Sequence, residues 1–171
     1  MTKARRVVPV RRFQFAIVAA AATLVLGGCH GELAGNVRPV ADGMQPQRDT
    51  ALAAADWSQA ESVTIQLLDY GYRPRELRLK AGKPYRLTLV NTGSVSHYFV
   101  APEFFAAVAT RKAEVPHVAE FKASVFTSFE VYPRGGTLDF YFVPLVKGKY
   151  RAHCHIKDHL PLKIEADLIV E

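Results

Sequence analysis

The residues with the most chemical capacity lie in one run, Gly148 to His159, GKYRAHCHIKDH. Read as a strand with period-2 alternation, Tyr150, Ala152 and Cys154 share one face, and Lys149, Arg151, His153 and His155 share the other. The thiol then points into the core. His159 follows past the strand end, where a short loop can bring its ring beside the sulfur. Thiolate and imidazole together form a soft S/N pair, which suits copper or zinc and poorly suits magnesium or calcium. A third donor has to come from elsewhere, and His97 in NTGSVSHYF is placed for it: Val95, His97 and Phe99 share a face, with Ser96 and Tyr98 opposite. Two histidines and one cysteine with a weak or absent fourth ligand make the trigonal blue-copper set. Taken singly, His97 reads as a core histidine and Cys154 as a small buried apolar group; their conjunction with His159 points to a site.

The Cys154 to His159 spacing, with an upstream histidine after an Asn-Thr-Gly turn, resembles the cupredoxins, small copper proteins with a Greek-key β-sandwich. The resemblance covers residues 61–171. Within it, HCHIKDHL is similar to the last copper motif of the multicopper oxidases. That likeness implies that Cys154 and His159 hold the electron-accepting copper, and that His153 and His155 correspond to histidines holding other coppers there. A trinuclear centre needs further His-x-His pairs, and this chain, with six histidines in all, has one such pair. His153 and His155 are therefore left as a polar sheet face or as a possible auxiliary metal site that helps copper or electrons enter. The chain departs from the family at the axial position. Electron-transfer cupredoxins usually place methionine five residues after the last histidine, and here that residue is Ile164; beyond the N-terminal signal described below, the only methionine is Met44. Glu165 alternates to the opposite face with Lys163 and Asp167. Ile164 is thus expected to pack against the copper without coordinating it, which implies a comparatively high reduction potential. Asn91 is expected to tie the strands around His97, and Tyr98 stands where several cupredoxins have asparagine.

The elements that must position these residues are short strands. Val63, Ile65 and Leu67 share a face, as do Leu77 and Leu79, then Tyr85, Leu87 and Leu89. Phe129 and Val131 follow, then Leu138, Phe140 and Phe142, then Tyr150 to Cys154, and last Ile164, Ala166, Leu168 and Val170. Roughly seven or eight strands, each with one apolar face, predict an all-β, two-sheet antiparallel sandwich, large enough to bury a core without disulfides. Pro102 to Lys112, PEFFAAVATRK, has a helical composition and predicts a short helical insertion. His117, after Pro116, reads as a solvated loop histidine.

Residues 1–28 carry Lys3, Arg5, Arg6, Arg11 and Arg12 and no acid, followed by an apolar run from Phe13 to Leu26. That is the profile of a secretory signal, too short for a comfortable membrane span. It ends in Leu26-Gly27-Gly28-Cys29, which resembles the bacterial lipobox and marks Cys29 for lipidation; an ordinary signal peptide with an incidental cysteine is the alternative. Of 22 bases and 16 acids, five bases lie in the signal, so the mature chain carries 17 bases against 16 acids, a net +1. The whole-chain +6 therefore describes the signal, and nothing in the charge points to nucleic acid. The two cysteines, Cys29 and Cys154, would pair in a disulfide or, if Cys29 is acylated, leave the Cys154 thiol to be protected by a metal. Residues 29–60 read as a flexible tether with a short helical patch near Thr50 to Trp57, and 61–171 as the domain.

These readings lead to a lipid-anchored protein of the periplasm or cell envelope with one copper at His97, Cys154 and His159. It would pass single electrons to or from a redox partner protein and need no enzymatic chemistry of its own. Copper delivery to an accepting enzyme, with His153 and His155 as docking ligands, is the alternative. A small oxidase subunit is a third.

Overall fold

Alternation of apolar and polar residues builds most of the strands. In β1 (Glu61–Leu68), Ile65 and Leu67 are fully buried between exposed Thr64 and Gln66. In β4 (Tyr85–Asn91), Tyr85, Leu87, Leu89 and Asn91 point inward. The computed structural model describes residues 42–156 and 164–171, all within one unit, Arg38–Glu171. The other elements are β2 (Gly71–Arg73), β3 (Glu76–Leu79), β5 (His97–Val100), β6 (Val108–Val115), β7 (Ala119–Phe121), β8 (Ser128–Val131), β9 (Gly136–Pro144), β10 (Gly148–His153) and β11 (Glu165–Val170). The helices are α1 (Gln45–Ala54) and α2 (Pro102–Ala106).

Two sheets result, in the orders β2-β1-β4-β9-β6-β7 and β3-β11-β10-β5-β8. Their inner faces enclose an aromatic core in which Phe105 meets Phe129 edge-on at 5.1 Å and Phe140 edge-on at 5.3 Å between ring centroids. The domain is an all-β, two-sheet sandwich, as expected, but it is not purely antiparallel: β1 pairs with β4, and β3 with β11, in parallel. After β2 the chain crosses to the other sheet for β3 and returns as β4 beside β1. Alternation specifies faces and carries no information on direction.

The helical insertion is shorter than the expected 102–112. It ends at Ala106, and the next segment is strand β6, paired to β9 from Val108 opposite Pro144 onward. Val108, Ala109 and Thr110 are all buried, because α1 lies against β6 and covers the side that would otherwise meet water. Burial on both faces erased the alternation, and a bulge between Thr110 and Lys112 shifted the rest.

The last part of the stretch read as a tether, residues 42–60, carries structure in place of an aperiodic coil. The helical patch begins earlier than expected, at Gln45 with Pro46 in its first turn, and a 3-10 turn follows at Trp57–Gln59. Arg48 is buried to 3 % exposure and donates from Nη2 to the Ala106 carbonyl at 2.6 Å. Trp57 docks on the domain, its ring 4.5 Å from the Arg111 guanidinium carbon.

Candidate metal centre

β10 and β11 set the thiol. Across this antiparallel pair, Lys149 meets Asp167 at 2.8 Å and Arg151 meets Glu165 at 3.7 Å on the solvent face. The opposite face takes Ala152 inward, and Cys154, just past the strand end, is 3 % exposed. The Cys154 amide donates to the Ile164 carbonyl at 3.0 Å, which places the start of β11 beside it. Ile164 itself is buried, and Glu165 is turned outward to Arg151.

β5 sets the imidazole. His97 opens the strand, fully buried opposite Val131 of β8. The preceding loop is gathered by Asn91, whose Nδ2 donates to the Val95 and Val131 carbonyls at 2.8 and 2.7 Å and whose Oδ1 accepts from the Gly93 amide. Asn91 therefore does tie the strands around His97. Val95, expected inward, is 43 % exposed, because the strand begins only at His97.

These two elements meet. The amide joining His97 to Tyr98 donates to Cys154 Sγ at 3.5 Å, so the buried sulfur abuts the backbone of the histidine-bearing strand. The bond comes from the main chain of Tyr98, so it does not depend on the type of side chain at that position. Tyr72, reached from β2, sits beneath: its hydroxyl donates to the Tyr98 carbonyl, and burial, then the nearby Cys154 charge, push its pKa far up.

Asp69, in the β1–β2 turn, is the partner that the sequence did not reveal. Its Oδ1 lies 3.1 Å from His97 Nε2, and both its oxygens accept from Ser94. The Ser94 hydroxyl first, then His97, hold this carboxyl down to about 2, so it stays ionised near neutral pH. A carboxylate at Nε2 holds a ring proton there, which in the neutral ring leaves the lone pair on Nδ1, the state in which an imidazole ligates a metal. Gly93 permits the contact: a Cβ there would overlap the Asp69 carboxylate and stand 2.9 Å from His97 Nε2. Asp69 gave no signal because an aspartate in LDYGY reads as an ordinary turn residue.

The flanking histidines go outward. His153 is half-buried, opposite Glu165 and Val100, and His155 is exposed, its ring 4.2 Å from that of Tyr98. His117 is exposed in a turn at φ 62°. His159, the third expected ligand, and Cys29 lie outside the described residues. Among the described residues no group of three or more His, Cys, Asp or Glu side chains is placed to hold a metal ion. His97 and Cys154 fit a copper site in donor chemistry and burial: one soft sulfur, one buried imidazole oriented by a carboxylate, and an apolar neighbour in Ile164.

No protein-family model and no curated protein matches the sequence. Solved structures do resemble it. A dithionite-reduced auracyanin from Roseiflexus castenholzii is 16 % identical, with 66 % of this chain and 98 % of that chain covered, at a TM-score of 0.46. A copper-containing nitrite reductase from Thermus scotoductus is 10 % identical over 65 % of this chain and 31 % of its own, at 0.49. A multicopper oxidase from Campylobacter jejuni is 16 % identical over 64 % of this chain and 29 % of its own, at 0.45. Likeness at this level says nothing of which residues hold a metal.

Proposed function

We propose that this cupredoxin-like domain holds one copper ion through His97, Cys154 and His159 and carries single electrons to or from a larger redox partner. The export signal and Cys29 support a place in the periplasm or cell envelope, tethered by lipid. The observation that carries the reading is the Tyr98 N–H directed at the buried Cys154 sulfur, which couples the cysteine strand to the histidine strand. Copper, when bound, would supply the one-electron couple. The protein's part is to keep the site dry and rigid. Asp69 fixes the His97 ring, the Tyr98 amide stabilises negative charge on sulfur, and Ile164 offers no axial donor. Both effects disfavour the oxidised ion, so a high reduction potential is expected, and Ile164→Met lowers it in voltammetry.

The test is an absorption spectrum of the copper-loaded chain before and after Cys154→Ser. A strong charge-transfer band toward the red end of the visible spectrum, lost in the variant, supports the reading; the same spectrum in both rules it out. One observation favours copper delivery as a second reading: His155 is exposed one residue from Cys154, where an accepting protein could reach it. A labile, colourless Cu(I) site would select that reading. Neither reading requires substrate turnover, and an oxygen-consumption assay tests the oxidase-subunit alternative.

A further inference from the structure

Three of the six large hydrophobic side chains that are exposed among the described residues sit on loops at one end of the sandwich. Tyr70 (77 % exposed) belongs to the β1–β2 turn, Val95 to the β4–β5 loop and Tyr132 (70 %) to the β8–β9 turn. Hydrogen bonds join these loops into one surface. Asp69 accepts from the Ser94 amide and hydroxyl, the Arg134 amide donates to the Gly93 carbonyl at 3.2 Å, and the Gly135 amide donates to the Asn91 carbonyl at 2.7 Å. Single exposed apolar groups need no explanation, whereas several on adjoining loops mark an interaction surface.

The charge around them has one sign. Residues 69–75, 92–96 and 132–135 contain Arg73, Arg75 and Arg134, all exposed, and one acid, Asp69, whose oxygens are taken by Ser94 and His97. Arg73 and Arg75 line an open cavity of about 720 Å³ together with Asp69, Tyr70 and Gly93. Among the described residues none of the three arginines is ion-paired, whereas exposed Arg78, Lys83, Lys122, Lys149 and Arg151 each have an acidic partner within 4.0 Å. Tyrosine and arginine are also the residue types that anchor protein interfaces, because they combine large contact area with directed hydrogen bonds.

This surface covers the candidate metal centre on its His97 side. His97 is fully buried, and what lies against its Nε2 edge is half-buried Gly93, where a Cβ would stand 2.9 Å from the ring nitrogen. One layer of backbone and the partly exposed Asp69 carboxylate separate that edge from a molecule docked on the loops. We propose that the loops around Gly93, carrying Tyr70, Val95 and Tyr132 with Arg73, Arg75 and Arg134, are the docking face for a redox partner protein with an acidic surface, and that electrons cross there through His97. This inference rests on the copper reading of His97 and Cys154.

Two anionic complexes stand in for the acidic partner. Hexacyanochromate(III) is paramagnetic and inert to electron transfer, and with the full chain, metal-free or copper-loaded, it should broaden amide signals of residues 69–75, 92–95 and 132–135. Ferricyanide should oxidise the reduced, copper-loaded chain at a rate that falls with ionic strength. In that exchange one electron passes from the reduced site to the iron(III) of ferricyanide, giving iron(II), with no proton transferred. Arg73→Glu and Arg134→Glu should each slow it up to roughly tenfold at low salt, while tris(phenanthroline)cobalt(III), a cation, is not slowed. Lys83→Glu, the same charge reversal at the opposite end of β4, should leave the ferricyanide rate nearly unchanged; equal slowing by Lys83→Glu and Arg73→Glu would reduce the effect to net charge and overturn the docking face. A charge-transfer band together with broadening spread over other faces overturns the docking face and leaves the copper reading standing. Broadening at this end in a chain that takes up copper without such a band overturns the copper reading, and the redox character of the partner with it. Self-association that Tyr132→Ser abolishes would identify a second copy as the occupant and overturn the acidic partner.

Discussion

Strands β10 and β6 each lie in a sheet that faces the same aromatic core, and they differ in what covers their other side. β10 presents Lys149 and Arg151 to water, each answered by an acid of β11. β6 has α1 laid over its first half, so Val108, Ala109 and Thr110 are all buried. The consequence is chemical as well as steric. A strand with one wet face can carry polar groups cheaply there, whereas a strand covered twice must find internal partners, and Arg48 and Thr110 are where that requirement is not met by the protein itself.

The largest effects should come from placing a charge in each strand. Ala109→Asp and Ala152→Asp, both at fully buried positions, should each cost ~4 kcal/mol or more in urea unfolding, while Arg151→Gln on the wet face should stay within about 0.5 kcal/mol. A tolerated Ala109→Asp would mean that α1 does not cover β6 in solution. Next in size, on the side of the candidate metal centre, Gly93→Ala pushes the Asp69 carboxylate off His97 and should cost ~2–3 kcal/mol while, on the proposed function, altering the spectrum of the copper-loaded chain. Arg48→Ala removes the clamp from α1 to Ala106 and should cost ~1–2 kcal/mol, read in the same unfolding assay, with no change in that spectrum.

The smallest effect is electrostatic and belongs to the exposed half of β6. Lys112 bridges Glu114 and Glu120, and those pairings raise the lysine pKa and lower both carboxyl values. For the carboxyls, the stabilisation is fully present above their ordinary range and lost as pH falls through their depressed folded values. For the lysine, it is present below its ordinary value and lost as pH rises through the raised one. Glu114→Gln and Lys112→Met should therefore each slightly narrow the stability difference between neutral and acid pH, Lys112→Met the more, while the share that comes from Asp69 remains, in thermal unfolding followed across the acid range.

How far each region could be read from sequence follows from the same difference in cover. Around Cys154, alternation placed Ala152 and the thiol inward and Arg151, His153 and His155 outward, as found, because water on one face enforces a period of two. In β6 two covers remove that enforcement, and the helical composition of 102–112 runs on into what folds as a strand. Neither parallel pairing could be read, since side-chain period is indifferent to strand direction. Asn91 could be placed from its position before His97, a local relation; Asp69, 28 residues away from it, could not.

The residue types near the C-terminus were enough to mark a soft S/N donor set, and the apolar period was enough to specify a sandwich, because donor identity and face periodicity are properties of a chain read in order. Only folding decided that the Tyr98 amide meets the Cys154 sulfur, that Asp69 orients the His97 ring, and that α1 covers the first half of β6. Those are contacts between segments distant in sequence, and the free energy that selects them comes from burial of surfaces that no single segment contains.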